Sequence, residues 1–580
     1  MFSHVRNIGL YAELQRHPLV NSARQCARRL FKYRDCSLKV FQSPLFPSML
    51  SYAEAGLVAA TVGSSAYLFY REKLARASKL PLPPSPAGAY PLLGHALALP
   101  TSNEHLTYSK WSRELKSDII SMTALGQTIV VLNSVEAAID LMDRRSAIYS
   151  DRPELRVIAD PDLLDWSYVI VACKYGSSWK RQRRMIHDVV KTSTNEHHYA
   201  LMERETRAML KRLLENSEDI EKKLRGAFAA EIMSTVYGYS VTGIDDPFVR
   251  AAQTGVDNFC RAALPANFLV NLIPWLKYVP DWFPGAGWKQ TIKEWRRQKD
   301  EMVQAPYDWA KSDIATGSAP PSMIKTHLAQ MANNPNLNLA EEEHNLKWAA
   351  SALFSAATDT TDSSSMTFVL AMVQHPEIQA RAQEEIDSIT HAERLPSIAD
   401  MESMPYMRRI VQEVLRWQPA LPLGITRSCI DNPDDETNAF MRIGVPHAST
   451  KDDEYRGYFI PKGSIVMANA WAMTRDESVY KDPNTFNPDR FLDPSVPSPP
   501  AFGFGRRICP GNHYAEASMF IMFASILAAF NIKPKVDPAT GREMIPETKV
   551  STSALVSHPL PFDYVIKPRS DSHKELVGFA

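Results

Sequence analysis

The apolar positions of this 580-residue chain fall into long stretches with helical spacing. Residues 512–530 repeat apolar side chains at that spacing, and residues 346–374 are apolar or small throughout, interrupted by Ala356-Ala-Thr-Asp-Thr-Thr361. Both read as helices. Trp179 and Arg183 lie four residues apart and Glu413 and Arg416 three apart, so each pair shares one face of a predicted helix. Tyr458-Phe-Ile-Pro-Lys-Gly-Ser464 reads as a strand followed by a turn.

Near the N-terminus the pattern divides into three. Residues 1–48 are basic and acid-poor, like a transit peptide. Residues 49–70 form an apolar run long enough to cross a bilayer as a membrane anchor helix, although Glu54 interrupts it. Residues 71–95 are basic, then rich in proline from Pro81 to Pro91, which makes a stiff hinge before the body at 96–580. Arg71, Lys73, Arg76 and Lys79 place that body on the cytosolic side by the positive-inside rule, whereas Lys32, Arg34 and Lys39 pull the other way. Met49, at the start of the apolar run, suggests that residues 1–48 derive from a start codon placed too far upstream.

Charge removes one class of partner. Lys+Arg and Asp+Glu both number 65, so there is no basic surplus for nucleic acid. The cysteines, six in all, show no Cys-x-x-Cys spacing, which fits a reducing compartment better than a disulfide framework or a zinc site.

One of them is placed for chemistry. Residues 502–511 read Phe-Gly-Phe-Gly-Arg-Arg-Ile-Cys-Pro-Gly. Gly503, Gly505 and Gly511 let a backbone approach a flat cofactor and adopt positive φ. Arg506 and Arg507 supply cations for carboxylates. Cys509 precedes a predicted helix N-terminus, whose dipole favours a thiolate. A glycine-rich turn with a buried free cysteine has the same ingredients.

Phe502, Gly505, Arg507, Cys509 and Gly511 together resemble the haem-binding signature of the cytochrome P-450 family of haem-thiolate monooxygenases. Other segments extend the resemblance from about residue 81 to 570. They include Glu413-Val-Leu-Arg416, Phe486-Asn-Pro-Asp-Arg-Phe491, Trp179-x-x-x-Arg183, His375-Pro-Glu-Ile-Gln379 and Ser557-His-Pro-Leu-Pro-Phe562. The resemblance implies a mainly α fold with a small β region and haem b between a distal and a proximal helix. It implies Cys509 as the axial iron ligand, with Trp179, Arg183 and Arg507 on the haem propionates. It makes Arg490 the third member of a buried structural network with Glu413 and Arg416, and residues 346–374 the distal helix.

Monooxygenation consumes protons, and a carboxylate beside a hydroxyl can relay them while excluding bulk water. Asp359 and Thr360 fit that role. Phe354, Ala356, Leu421 and Leu423 are candidates for the substrate wall. Ala357 departs from the family, which usually has glycine there. The implied activity is oxidation of a small lipophilic substrate by O2, closest to fungal microsomal members of secondary metabolism acting on terpenoid or polyketide skeletons. The chain shows no flavin or nicotinamide site, so electrons would come from a separate NADPH-cytochrome P-450 reductase, with cytochrome b5 as a further donor. The implied location is the endoplasmic reticulum membrane. Two alternatives keep the haem: an isomerase or dehydratase that needs no O2, and a haem-binding protein without turnover.

Two segments stand apart. Residues 425–444 separate Leu421-Pro-Leu-Gly424 from Val445-Pro-His447, where fungal relatives run almost directly from one to the other. The stretch is polar and turn-like, and a sixty-nucleotide retained intron would account for it. Phe268–Trp275 and Trp282–Trp288 are aromatic and proline-punctuated, suited either to core packing or to a surface that dips into a membrane.

Overall fold

The structure, a computed structural model, describes residues 80–580 except 101, 154–155, 192–194, 244, 263–267, 272–273, 424–445, 552–555 and 580. The basic leader, the apolar run at 49–70, residues 71–79 of the hinge and the segment 425–444 lie outside the described residues. Among the described residues no helix is long and apolar enough to cross a membrane.

The fold is mainly helical with a small β region. The elements that position the site are strands β1 (Ile119–Ala124) and β2 (Gln127–Leu132), helices α1 (Ser177–Val190), α2 (Ile220–Tyr237), α3 (Leu339–Gln374) and α4 (Pro405–Trp417), strands β3 (His447–Ala448) and β4 (Ile465–Ala468), and helix α5 (Asn512–Ala529). The sheet runs β1-β2-β4-β3. β1 and β2 form a hairpin, whereas β2 and β4 pair in parallel, Ile129 opposite Ile465, across more than half the chain.

Helix α3 is the spine. Asn338 caps its start by accepting from the Glu341 N–H, and the polar run at 356–361 does not interrupt it. The hydroxyls of Thr358, Thr360 and Thr361 donate to the carbonyls of Phe354, Ala356 and Ala357, four residues back, at 3.1, 2.9 and 2.8 Å. That bonding satisfies poor helix formers without breaking the ladder. Two turns on, α3 meets α5: Phe368 stacks on Phe523 with ring centroids 4.1 Å apart, both side chains fully enclosed. Each such side chain contributes about 1.5–3 kcal/mol through burial.

The mid-chain aromatic region divides between core and surface. Phe268 is buried, edge-on to Trp295 at 5.5 Å. Trp275, Tyr278, Trp282 and Phe283 lie exposed.

Candidate active site

The cysteine loop enters between two cores. Phe502 packs against the large helical core and Phe504 against the sheet cluster, which pins the loop on both sides. The Cys509 N–H donates to the Phe502 carbonyl at 2.9 Å, and α5 begins three residues later. Gly505 has φ +58°, and a Cβ there would stand 1.9 Å from the carbonyl oxygen of Met142, on the π-helix Ile139–Arg144. Its glycine is required by protein backbone rather than by a cofactor. Gly503 also has positive φ, but Gly511, at φ −97°, does not, and no protein atom lies within 4 Å of a Cβ at either. The expectation of positive φ thus holds for two of the three glycines.

Cys509 is a half-buried free cysteine. Loss of solvent pushes its thiol above the usual range, against the Gly511 N–H and the Arg183 charge, which favour the thiolate. Desolvation therefore outweighs the helix-start stabilisation expected from sequence. A coordinated metal ion would supply the missing charge and deprotonate the thiol.

Around the loop the structure gathers cations. Arg183, on α1, donates to the Ile508 carbonyl. Arg507 lies over the Trp179 ring at 4.9 Å and donates to the carbonyls of Ser150, Ile170 and Cys173 at 2.8–2.9 Å. Two further residues join them that sequence reasoning did not single out. Arg152 is 5 % exposed, and burial followed by the charge of Arg507 lowers its pKa to about 9, despite Cys173 and Asp151. Burial, then the charges of Arg152 and Arg507, hold His447 down to about 3, although its Nδ1–H donates to the Tyr149 carbonyl at 2.5 Å. Burial thus depresses both Arg152 and Arg507, and their charges add to the burial that depresses His447.

Behind it, Glu413, Arg416 and Arg490 form one buried cluster. Arg416 bonds both Glu413 oxygens at 2.7 and 2.8 Å, and Arg490 Nε lies 3.1 Å from each. The remaining guanidinium donors reach the carbonyls of Thr474, Pro483, Thr485, Lys481 and Asp482, so the buried charges are satisfied.

Midway along α3, Ala356 is exposed while Asp359 and Thr360 are half-buried, in a helix otherwise mostly enclosed from Leu346 to Val373. Ala356 and Thr360 are four apart and share that open face. Phe354 does not: two residues from Ala356 it projects from the other side and packs edge-on to Tyr237 at 6.5 Å, 2 % exposed. Leu423 is likewise drawn into the sheet cluster, whereas Leu421 stays half-buried. Asp359 accepts from the Nε2–H of His558 at 3.2 Å.

A predominantly helical body, a cysteine loop capped by a helix start, and a long polar-centred helix define a haem-thiolate oxygenase. The family model for cytochrome P450 matches residues 83–436 and 438–566. The chain is 37 % identical over 516 residues to a cytochrome P450 monooxygenase of Armillaria gallica, covering 88 % of this chain and 96 % of that protein. It is also 37 % identical over 525 residues to cytochrome P450 monooxygenase 98 of Postia placenta, covering 89 % and 96 %. Cytochrome P450 monooxygenase COX1 of Coprinopsis cinerea is 34 % identical over 507 residues, covering 86 % and 93 %. The chain belongs to the cytochrome P450 family, whose members hold haem through a cysteine thiolate.

Proposed function

We propose that this chain is a haem-thiolate monooxygenase in which Cys509 ligates the iron and Arg507, Trp179, Arg183, Arg152 and His447 receive the propionates. The carrying observation is the cationic cluster beside the cysteine loop. Arg507 lies over the Trp179 ring at 4.9 Å, and half-buried Arg507, buried Arg152 and half-buried His447 are all held below their ordinary pKa by burial, so two carboxylates would stabilise them. The bound haem supplies the O2-activating chemistry, with the thiolate donating electron density to iron. This chain's residues do the rest. Phe502 and Gly505 fix the loop against its two cores, and the Glu413–Arg416–Arg490 cluster stiffens the scaffold behind it. Asp359 Oδ1 and the Thr360 hydroxyl hold and pass protons on the opposite side, while Ala356 and Leu421 border the substrate.

We read the substrate as a small lipophilic molecule of terpenoid or polyketide type, as the motif resemblance to fungal microsomal members implies. The exposed aromatics at 275–283 would dip into the membrane interface, with residues 49–70 as the anchor. Lys180, Arg184 and Arg506 are exposed near the loop and offer a basic face to an acidic electron donor, an NADPH-dependent flavoprotein reductase or cytochrome b5. The test is haem retention in the purified full chain. Wild type should carry one haem per chain and the Arg152→Gln/Arg507→Gln double variant should lose most of it. A double variant with full occupancy removes these arginines from the site.

A further inference from the structure

His558 lies on the C-terminal loop, near the end of the chain, yet it meets the centre of α3. Its imidazole contacts one carboxylate of that helix, Asp359, which accepts its Nε2–H at 3.2 Å, and feels the charge of a second, Asp362, three residues on. Asp362 is fully enclosed and held by Arg225 of α2 through Nε at 2.9 Å and Nη2 at 2.6 Å, while the same Nη2 reaches Glu221 at 2.8 Å. Burial lifts Asp362 to about 6, against the opposing charge and hydrogen bond of Arg225.

The loop is strapped in place around His558. The Ser363 hydroxyl donates to the Ser557 carbonyl at 2.5 Å, the Ser557 N–H to the Ala420 carbonyl at 2.8 Å, and the Ser551 N–H to the His558 carbonyl at 2.6 Å. The imidazole therefore has a fixed inner partner. With its side chain 21 % exposed, it also has an outer edge that solvent reaches.

We propose that His558 is the group that reloads Asp359 with protons during monooxygenation, a role that rests on Asp359 and Thr360 acting as the proton-handling pair. Each turnover takes two protons and, from the reductase, two electrons, with one oxygen atom leaving as water. The proton on His558 Nε2 crosses the 3.2 Å contact to the Asp359 carboxylate, and the carboxyl then hands a proton to the Thr360 hydroxyl, which releases its own toward the oxygen being reduced. His558 is then reprotonated from water at its exposed edge. Asp362, held by Arg225, adds its charge in favour of the protonated imidazole without competing for Asp359. Burial opposes protonation of His558 and Arg225 repels it. The Asp359 hydrogen bond and charge, with that of Asp362, overcome both and leave its pKa above the ordinary value. His558 is a positioning residue, acting through Asp359.

Two measurements on the haem-loaded full chain test this. The first follows carbethoxylation of His558 by diethyl pyrocarbonate against pH, read by peptide mass spectrometry. The midpoint should lie above that of a free histidine in wild type and fall in Asp359→Asn, which loses the carboxylate charge; an unmoved midpoint overturns the proposal.

The second uses His558→Gln, whose amide N–H can still hold Asp359 but cannot titrate. NADPH-driven O2 consumption with the reductase, and 7-ethoxycoumarin as probe, should fall about tenfold or more. The wild-type decline in rate as pH rises past the His558 midpoint should disappear. A His558→Gln protein with wild-type rate and pH profile, and with its carbon monoxide band intact, overturns the role of His558 alone. A wild type without that band overturns the underlying haem-thiolate reading, and this inference with it.

Discussion

The α-carbon of Gly505 sits against the carbonyl of Met142, so close that a Cβ would stand 1.9 Å from the oxygen. The cysteine loop and the π-helix Ile139–Arg144 are locked by backbone contact, and at φ +58° the position is also strained for any L side chain.

Gly505→Ala should therefore displace the loop rather than merely soften it. The expected outcome is loss of haem from the purified protein and a melting temperature several degrees lower, since about 1–3 kcal/mol of overpacking and backbone strain falls on one residue. Gly511→Ala, at ordinary φ and free of close protein neighbours, is the matched comparison and should retain more haem. Equal retention in both would show that the Met142 contact does not position the loop.

Glu413→Gln leaves Arg416 and Arg490 facing each other without their shared anion. All three side chains are enclosed, so the loss should be about 3–5 kcal/mol. Chemical denaturation reads it as a lower midpoint with unchanged slope. A change below about 1 kcal/mol would mean that the carbonyls of Thr474, Lys481 and Pro483 suffice to hold the two guanidiniums.

Thr360→Val keeps the shape of the side chain and removes its hydroxyl. Helix α3 loses only a back-bond to Ala356, so thermal stability should hardly change. Product formed per NADPH should nevertheless drop about tenfold or more. Unchanged coupling would take the hydroxyl out of proton transfer.

Acid should destabilise the fold through His105. Burial, and then the charge of Arg475, lower its pKa to about 4, from 6.5. The unfolded chain therefore binds a proton that the native state refuses, and stability falls as pH drops from 6.5 towards 4, by about 3 kcal/mol in total. His105→Gln should flatten the stability curve over that window. An identical slope in both proteins would assign acid sensitivity elsewhere.

The helices were the most legible part of the sequence. The apolar runs at 346–374 and 512–530 became α3 and α5, because a helix buried along most of its length must be apolar or small nearly all round. The Glu413–Arg416 spacing marked a shared helix face, and only a likeness to other proteins joined Arg490 to it. Contacts between distant segments were not legible. The parallel pairing of β2 with β4, the meeting of Arg152 and His447 with Arg507, and the approach of Gly505 to Met142 depend on how remote segments pack, which no local period encodes. His447 and His558 both sit in quoted motifs, each followed or preceded by proline, but nothing in those tripeptides says which buried charge the imidazole will meet. Phe354 and Leu423 show a second limit, since an apolar residue near an active-site motif is suited equally to the substrate wall and to the core, and both are buried.

The most direct test of the account is the carbon monoxide difference spectrum of the reduced full-length protein, wild type beside Cys509→Ala. A thiolate-type band in wild type, absent from Cys509→Ala, is expected of iron ligated by this cysteine. A wild type showing only the band of a non-thiolate haem, or a Cys509→Ala protein that keeps the thiolate-type band, would contradict it.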